Sequence, residues 1–417
     1  MREIRKLNEE YIDEYTEIAF NAYPSFKDFT KKAMDKYKKE ALDILKNDSV
    51  VTFYGMFEND KLIGVMRLFD FEMNFFGKII PVSGIGFLGV HLMHKKKKVA
   101  RDMLEFYEKH YKNKNVPLGL LLPFRPDFYK KMGYGFGTKM NQYRLPTERL
   151  PEYRKESDIR YINEDGLEKI LDCHNRVVEK THGMMKKFGD EIRQIFGDEF
   201  NRVIGSYDKE GNIEGYIVFK FLNGKEGNYT INNIYMKELV YENPEVLRKL
   251  LGFLRKQDDQ VHLIIFNTED ENFYYLFDDP RNDSLNYIPY GYLETNTQAV
   301  GVMYKIFDIR EAFIQCSHRS YNKANIRVRF LIEDSFIAKK EEEIIVKFEN
   351  GRAILDEEKF DVTVKMDISD FSSLFLGATS LKGLWSLGLV EIDKGEYLDE
   401  LDRAFYYSQK PVCYTDF

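Results

Sequence analysis

Four consecutive lysines, Lys95 to Lys98, follow a run of alternating apolar residues, "VSGIGFLGVHL", and open the stretch "KKKKVARDMLEFYEKHYKNK". The spacing of Ala100, Met103, Leu104, Tyr107 and Tyr111 predicts an amphipathic helix whose start coincides with the lysines. A helix N-terminus already carries the positive end of the macrodipole, so each ammonium group placed there costs roughly 0.3–1 kcal/mol. A bound polyanion reverses that sign, because backbone N–H groups, dipole and ammonium groups then all point at one negative charge. The chemistry open to this cluster is therefore to hold a pyrophosphate. The same lysines fit a solvated charge run when taken alone, and their place between a strand and a helix favours the bound group. His91 and His94 are the nearest titratable neighbours, with the residue type of a base, a second anion ligand or a surface group.

The elements that position this cluster belong to a chain of 417 residues with 62 Lys and Arg against 69 Asp and Glu, a net charge of -7. The molecule as a whole repels polyanions, which speaks against a nucleic-acid track and for a local cofactor site. With 43% hydrophobic and 15% aromatic residues there is ample apolar surface for two to four packed domains. Cys173, Cys316 and Cys413 are too few and too scattered for a disulfide framework or a CxxC metal site. No stretch reaches the roughly 18 apolar residues of a membrane span, and "MREIRKLNEEYIDEY" has no apolar export core. The expectation is a reduced, cytoplasmic protein without membrane or nucleic-acid partners and without a metal.

Along the chain, helical spacing (Tyr11, Ile12, Tyr15, Ile18, Ala19) and a second helix in "KKAMDKYKKEALDILKND" precede a β-hairpin, "VVTFYGMFENDKLIGVMRLFDFEMNF", turning at "END". A strand, the lysine-led helix and the strand "VPLGLLLPF" complete a crossover. The same order recurs: "RVIGSYDKEGNIEGYIVFKFLNG" repeats the hairpin, with Gly205 and Gly215 matching Gly55 and Gly64, and "YTINNIYMKEL", "NPEVLRKLLGFLRKQ" and "VHLIIFN" repeat the crossover. In this second copy an acidic turn and a proline replace the lysines. From residue 299 onward, "NIRVRFLIEDSF", "EEIIVKFENGRAIL" and "FDVTVKMDISDFSSLFLG" alternate as strands before apolar helices. The fold class is thus mixed α/β (α+β): two tandem lobes over residues 1–150 and 151–298, and an α+β domain over 299–417.

The segment "LGVHLMHKKKKVA" resembles the acyl-CoA loop of the GCN5-related N-acetyltransferase (GNAT) superfamily, [R/Q]-x-x-G-x-[G/A] at a helix start, with Lys95, Lys98 and Ala100 at its three marked positions. Downstream, "FRPDFYKKMGYGFG" resembles the superfamily's aromatic stretch and puts Tyr129 where the acid tyrosine stands. Two such lobes, only the first with the loop, followed by a sterol-carrier-like domain and a chain ending in "KPVCYTDF", resemble the enhanced intracellular survival (Eis) acetyltransferase family over the whole length.

That resemblance implies acetyl-CoA as co-substrate and a primary amine as acceptor, aminoglycoside-like cations or protein lysines being typical. It also implies a homo-oligomer, a hexamer in relatives. Backbone N–H groups of Leu88, Gly89 and Val90 would polarise the thioester, and Gly89 is of the type that marks a bulge or close approach inside a strand. Lys95, Lys96, Lys97, Lys98, Val99, Ala100 and Arg101 would cradle the pyrophosphate, and Phe124 and Arg125 would line the pantetheine arm. Tyr129, a phenol of ordinary pKa near 10, would be the general acid, with Tyr134 more suited to packing. The α-carboxylate of Phe417 would be the base, delivered by a tail that stays apolar to its last residue. Lys98 stands where the family has glycine; a helical residue does not need glycine, and lysine brings its own charge, so weakened binding is expected.

The apolar stretch "FSSLFLGATSLKGLWSLGLVEI" fits a domain core, with Trp385 as a packing anchor, or the lining of a lipid tunnel. A lipid carrier, or a CoA-binding scaffold with vestigial lobes, is the alternative to the enzyme.

Overall fold

The computed structural model describes residues 2–23, 28–155, 157–282, 284, 286–334, 336, 340–355 and 358–417. The first lobe runs β1 (Arg2–Lys6), α1 (Ile12–Ala22), α2 (Lys31–Asn47), β2 (Val51–Glu58), β3 (Lys61–Phe75), β4 (Lys78–Val90), α3 (Val99–Lys112), β5 (Leu118–Leu121), α4 (Pro126–Lys130) and β6 (Gly135–Phe136). Asn59 and Asp60, both at positive φ (51° and 60°), make the tight β2–β3 turn whose twist matches that of the strands. Long β3 is buried on both faces by the two-residue pleat. Val65, Phe69, Phe71 and Met73 join the core that includes α1, and Met66 and Leu68 the core that includes α3.

The second lobe runs β7 (Met140–Pro146), β8 (Ile159–Tyr161), α5 (Leu167–Val178), α6 (Gly189–Gly197), β9 (Arg202–Tyr207), β10 (Ile213–Asn223), β11 (Asn232–Tyr241), α7 (Pro244–Arg255) and β12 (Val261–Thr268). A small hairpin, β13 (Tyr287–Ile288) with β14 (Tyr292–Leu293), then leads to β15 (Asn296–Ala299) and β16 (Met303–Ile306). The matched glycines play matched parts. A Cβ at Gly64 would strike Val99 and Met103 of α3, and one at Gly215 would strike Val246 of α7.

The two lobes exchange strands. The first seven-stranded sheet has the order β1-β2-β3-β4-β5-β16-β6, and the second β15-β7-β12-β11-β10-β9-β8. Strand β16, from beyond residue 299, pairs antiparallel with β5, while β7, from before residue 150, pairs antiparallel with β12. Hydrogen bonds thus cross both expected divisions of the chain. The graft of β16 is locked by Lys305, fully buried, whose Nζ lies 2.9 Å from Glu108, 2.9 Å from Asp334 and 2.9 Å from the Met132 carbonyl. Removing one partner of such a buried pair costs about 3–5 kcal/mol, so the lock holds β16 and the third domain, through Asp334, against the first lobe.

The third domain runs α8 (Ile309–Gln315), β17 (Ile326–Asp334), β18 (Lys340–Glu349), β19 (Arg352–Leu355), β20 (Val362–Asp367), α9 (Ile368–Phe375), α10 (Leu381–Ser386), β21 (Val390–Ile392) and α11 (Leu398–Phe405). Its five-stranded sheet has the order β19-β18-β17-β20-β21. Every residue of α9 is buried, so the apolar stretch is core where it forms α9. Trp385 departs from its expected role: it is 48% exposed, because short α10 turns Leu381 and Leu384 inward and leaves the indole on its outer face.

After α11 the tail alternates buried Pro411, Cys413 and Thr415 with less buried Val412, Tyr414 and Asp416, the period of an extended chain. It is tied down at each step. Val412 N–H donates to the His182 carbonyl (2.9 Å), Thr138 Oγ1 to the Pro411 carbonyl (2.6 Å), and Cys413 N–H to Glu269 Oε2 (2.6 Å). The Tyr414 and Thr268 hydroxyls meet at 3.2 Å.

Candidate active site

The lysine cluster lies on the surface, and its backbone is unusual. Lys96 (φ 63°) and Lys98 (φ 64°) are both left-handed, and Lys98 is the N-cap of α3, which no side chain caps. Each such non-glycine residue stores roughly 1–2 kcal/mol, and strain of this kind persists where a site needs it. Left-handed residues next to a helix start turn successive N–H groups into an anion-binding nest. The expectation that position 98 does not need glycine is corrected: it stands just outside the helix in the conformation glycine favours, and lysine occupies it under strain.

Arg2 braces this loop from the far end of the first lobe, a contact that no local pattern signals. Its Nη1 donates to the Lys97 carbonyl (3.0 Å) and Asp102 (2.8 Å), and its Nε to Glu58 (2.9 Å). The two histidines serve local turns: His91 Nδ1 accepts from Met93 N–H (3.2 Å), and His94 Nδ1 lies 3.6 Å from Glu58. Arg101 reaches the Phe336 carbonyl (3.3 Å), and the Arg125 guanidinium is held by Asp127 (3.1 and 2.5 Å).

Strand β4 carries the second half of the site. Its ladder with β3 slips between Val65 and Arg67, leaving Phe87 (φ 48°) and Leu88 opposite the single residue Met66, a bulge. The bulge therefore lies just before Gly89. Gly89 serves close packing on α1 instead, a Cβ there coming within 3.3 Å of Ala22. Strand β4 pairs with β5 only at Ser83↔Gly119 and Gly84↔Leu120. Beyond Gly84 the two strands part and open a cleft of about 300 Å³, lined by Tyr23, Ile85, Gly86, Phe87, Leu88, Leu122, Phe124, Tyr129 and Phe417. Val90 continues β4 toward the lysine loop, and Val99 and Ala100 begin α3 beneath it.

Both residues expected to do acid–base chemistry meet in this cleft. Tyr129, 4% exposed on α4, packs edge-on to Phe124 (5.7 Å) and Phe128 (5.2 Å). Burial pushes its phenol above the ordinary tyrosine range, so the O–H keeps its proton. Tyr134 is fully buried and packs 6.1 Å from Tyr129 with its hydroxyl unpartnered among the described residues. The Phe417 ring sits edge-on to Phe69 (5.4 Å) and Phe71 (5.1 Å). Its carboxyl group rests on Gly86, where a Cβ would lie 3.2 Å from the carboxyl carbon, and a Cβ at Gly84 would lie 3.1 Å from the ring. The pair "GIG" at 84–86 was the legible signal for this close approach. A larger cavity of about 760 Å³ between the second lobe and the third domain has none of these groups on its wall. Among the described residues no cluster could hold a metal ion, and no helix is long and apolar enough to cross a membrane.

Comparison with known proteins agrees with the order of the three domains. Residues 3–137 and 183–303 each match the family model of an acetyltransferase (GNAT) domain, and residues 311–414 that of a sterol carrier protein domain. The chain is a GNAT N-acetyltransferase built from tandem GNAT domains and a C-terminal sterol carrier domain. Its fold is that of Eis1 from Mycobacterium abscessus, which it matches over 100% of both chains at a TM-score of 0.76 and 17% identity. A GCN5-related N-acetyltransferase from Anabaena variabilis matches over 100% of both chains at a TM-score of 0.81 and 15% identity. An uncharacterized N-acetyltransferase of Streptomyces avermitilis is 23% identical over 365 residues, 84% of this chain and 86% of the relative. Membership of the GNAT family implies acetyl-CoA use.

Proposed function

We propose that the first lobe transfers an acetyl group from acetyl-CoA to a primary amine by direct attack, with Tyr129 and the Phe417 carboxylate as its acid and base. The observation that carries this reading is that a buried phenol and the chain's own terminal carboxyl group line one cleft, at the point where β4 and β5 part. Acetyl-CoA supplies the acyl thioester. Lys95 to Lys98 and the N–H groups at the start of α3 (Val99, Ala100, Arg101) hold its pyrophosphate, and Arg2 keeps that loop in shape. Exposed Phe124 lines the pantetheine arm, and Arg125 joins it by releasing Asp127. Backbone N–H groups around the β4 bulge, from Leu88 through Gly89 to Val90, polarise the carbonyl.

The amine nitrogen must give up one proton as its bond to the acyl carbon forms, and the sulfur must gain one as the carbon–sulfur bond breaks. The Phe417 carboxylate takes the first, directly or through water, since a terminal carboxyl group of ordinary pKa about 3.3–3.7 is a weak base in bulk solvent. Tyr129 donates its O–H to the departing sulfur. Burial keeps the phenol protonated in the resting site, and the phenolate left after it protonates the sulfur regains its proton from the Phe417 carboxyl group or from water. The family resemblance offers aminoglycoside-like cations or protein lysines as acceptors, and a homo-hexamer that analytical ultracentrifugation tests.

Two changes test the assignment. Adding Gly-Ser after Phe417 moves the carboxylate out of the cleft, and kcat should fall at least about 100-fold while acetyl-CoA binding measured by calorimetry persists. Unchanged turnover removes Phe417 from the mechanism. Tyr129→Phe should lower kcat by about 10–100-fold with little change in the acetyl-CoA KM, and an unaltered kcat removes the phenol.

A further inference from the structure

Tyr23 and Phe87 line one side of the cleft, and further rings pack in a chain behind them. Tyr23 packs on Phe87 (6.0 Å between centroids), Tyr37 on Phe87 (6.3 Å), Phe20 on Tyr37 (5.3 Å) and Phe29 on Phe20 (6.2 Å). Behind Phe87 lies Arg67, 4% exposed, its guanidinium carbon 4.0 Å from the centre of the Phe87 ring and 4.6 Å from that of Phe53. Arg67 Nε donates to the Tyr15 hydroxyl (2.8 Å) and Nη2 to the Tyr37 hydroxyl (3.3 Å). Among the described residues no carboxylate lies within ion-pair distance of it. Arg67 stands opposite Gly86 in the β3–β4 ladder, the glycine under the Phe417 carboxyl group, and on the face of β3 shared by Phe69 and Phe71, which hold the Phe417 ring. Counting from the matched glycines Gly64 and Gly215, the second lobe has Val218 at this position.

A fixed cation behind the Phe87 wall of the cleft has two effects. It disfavours the protonated form of an incoming amine, so the neutral nucleophile is reached more easily. It also repels any second positive charge on the acceptor, in a setting where apolar walls leave that charge poorly solvated. Among the described residues none lining the cleft carries an acidic side chain, and the anion on its wall is the terminal carboxylate. Around the tail, Asp190 and Asp48 face Arg193 (3.4 and 3.7 Å), the charge of Asp190 also acts on Arg67, and Asp416 next to Phe417 meets Glu191 through its backbone, with its carboxyl pushed up by burial.

We infer that the acceptor is a monoamine on a small aromatic or apolar body, and that Arg67 is the specificity-determining residue that rejects polycations. This rests on the acetyl-transfer reading above and departs from the aminoglycosides that the family resemblance offers. Aromatic walls bind such a body through its faces and edges, and one buried guanidinium sets the charge the pocket tolerates.

The test is thiol release from acetyl-CoA by the full chain, with 2-phenylethylamine and tryptamine against spermidine and kanamycin. The monoamines should exceed the polycations in kcat/KM by at least about tenfold. Arg67→Met should shrink that ratio by about tenfold, by raising kcat/KM for spermidine, whereas Arg67→Lys, which keeps the charge, should preserve it. Better turnover of spermidine or kanamycin than of either monoamine overturns the inference, as does a ratio unmoved in Arg67→Met. The unaltered chain decides by itself should Arg67→Met fail to fold. Acetyl-CoA binding with no amine acetylated overturns a different statement, the acetyl-transfer reading.

Discussion

The two lobes are built to one plan, and the tail that leaves a cleft in the first packs into the matching place in the second. Both have the hairpin, the paired glycines, the crossover helix and a bulge, between Val65 and Arg67 in one and between Val218 and Phe219 in the other. The bulge is therefore not what makes a site. Two differences are. In the first lobe β4 and β5 pair at two positions and then part around an open cleft, whereas β11 and β12 pair from Asn232↔Val261 to Met236↔Phe266 and, where they part, have Tyr414 and Thr415 of the tail between them. Helix α3 begins uncapped after left-handed Lys98, whereas α7 begins with Asn243 accepting from Glu245 and Val246 N–H and with Pro244, which has no N–H to offer. The second lobe has spent on its own cap the donors that the first leaves for a phosphate. At the end of β12, Thr268 and Glu269 hold Tyr414 and Cys413, so the second lobe clamps the tail that completes the first.

The largest expected effect comes from making the first lobe's loop as acidic as the second lobe's turn. Replacing Lys96, Lys97 and Lys98 together with Glu leaves the β4–β5 cleft intact but reverses the field at the nest. The acetyl-CoA KM should rise about 100-fold or more, most steeply at low salt, with kcat at saturation little changed. A KM within about threefold of the unaltered chain would mean that splayed strands alone bind the co-substrate.

Much of this comparison was legible in the sequence, and the parts that were not have physical reasons. Lysines at a helix start are a local conflict, and the duplication of glycines and strand order is local pattern, so both are visible in one dimension. The strand exchange was not, because β7 and β16 read as ordinary short strands and only pairing partners distant in sequence show which sheet they join. Arg67 hid for a similar reason: in "VMRLFD" it looks like the exposed member of an alternating strand, and only the packing of α1 and α2 over that face buries it with Tyr15 and Tyr37. Gly89 drew attention as the expected bulge, while Gly84 and Gly86, which make room for Phe417, depend on a tail more than 300 residues away.

A smaller effect tests the clamp. Glu269 is 2% exposed, and burial pushes its carboxyl up to about 8, so the folded protein holds it protonated at neutral pH. In the unfolded chain an ordinary glutamate ionises near 4.3. Between those two values the unfolded state has released a proton that the folded state keeps, so stability falls as pH rises from about 4.5 to about 8. Glu269→Gln removes that slope and still offers an oxygen to Cys413 N–H. It should therefore stabilise the protein by the order of 1–3 kcal/mol at pH 8 and hardly at all at pH 5, read as melting temperature against pH. Equal melting shifts at both pH values would show that Glu269 is ionised in the fold.

The smallest effect sharpens the comparison at a single residue. Lys98→Gly removes both an ammonium group and the left-handed strain, whereas Lys98→Ala removes the charge and keeps the strain. The glycine variant should be about 1 kcal/mol more stable than the alanine variant, since glycine alone adopts φ near 64° without a Cβ penalty. Both lose one cation, so any difference in their acetyl-CoA affinity reports backbone conformation alone. If the nest is the binding element, the glycine variant binds about threefold or more tighter than alanine, because its loop rests in the shape the phosphate needs. Equal affinities would assign the whole contribution of residue 98 to its charge and leave the left-handed backbone a property of the turn alone.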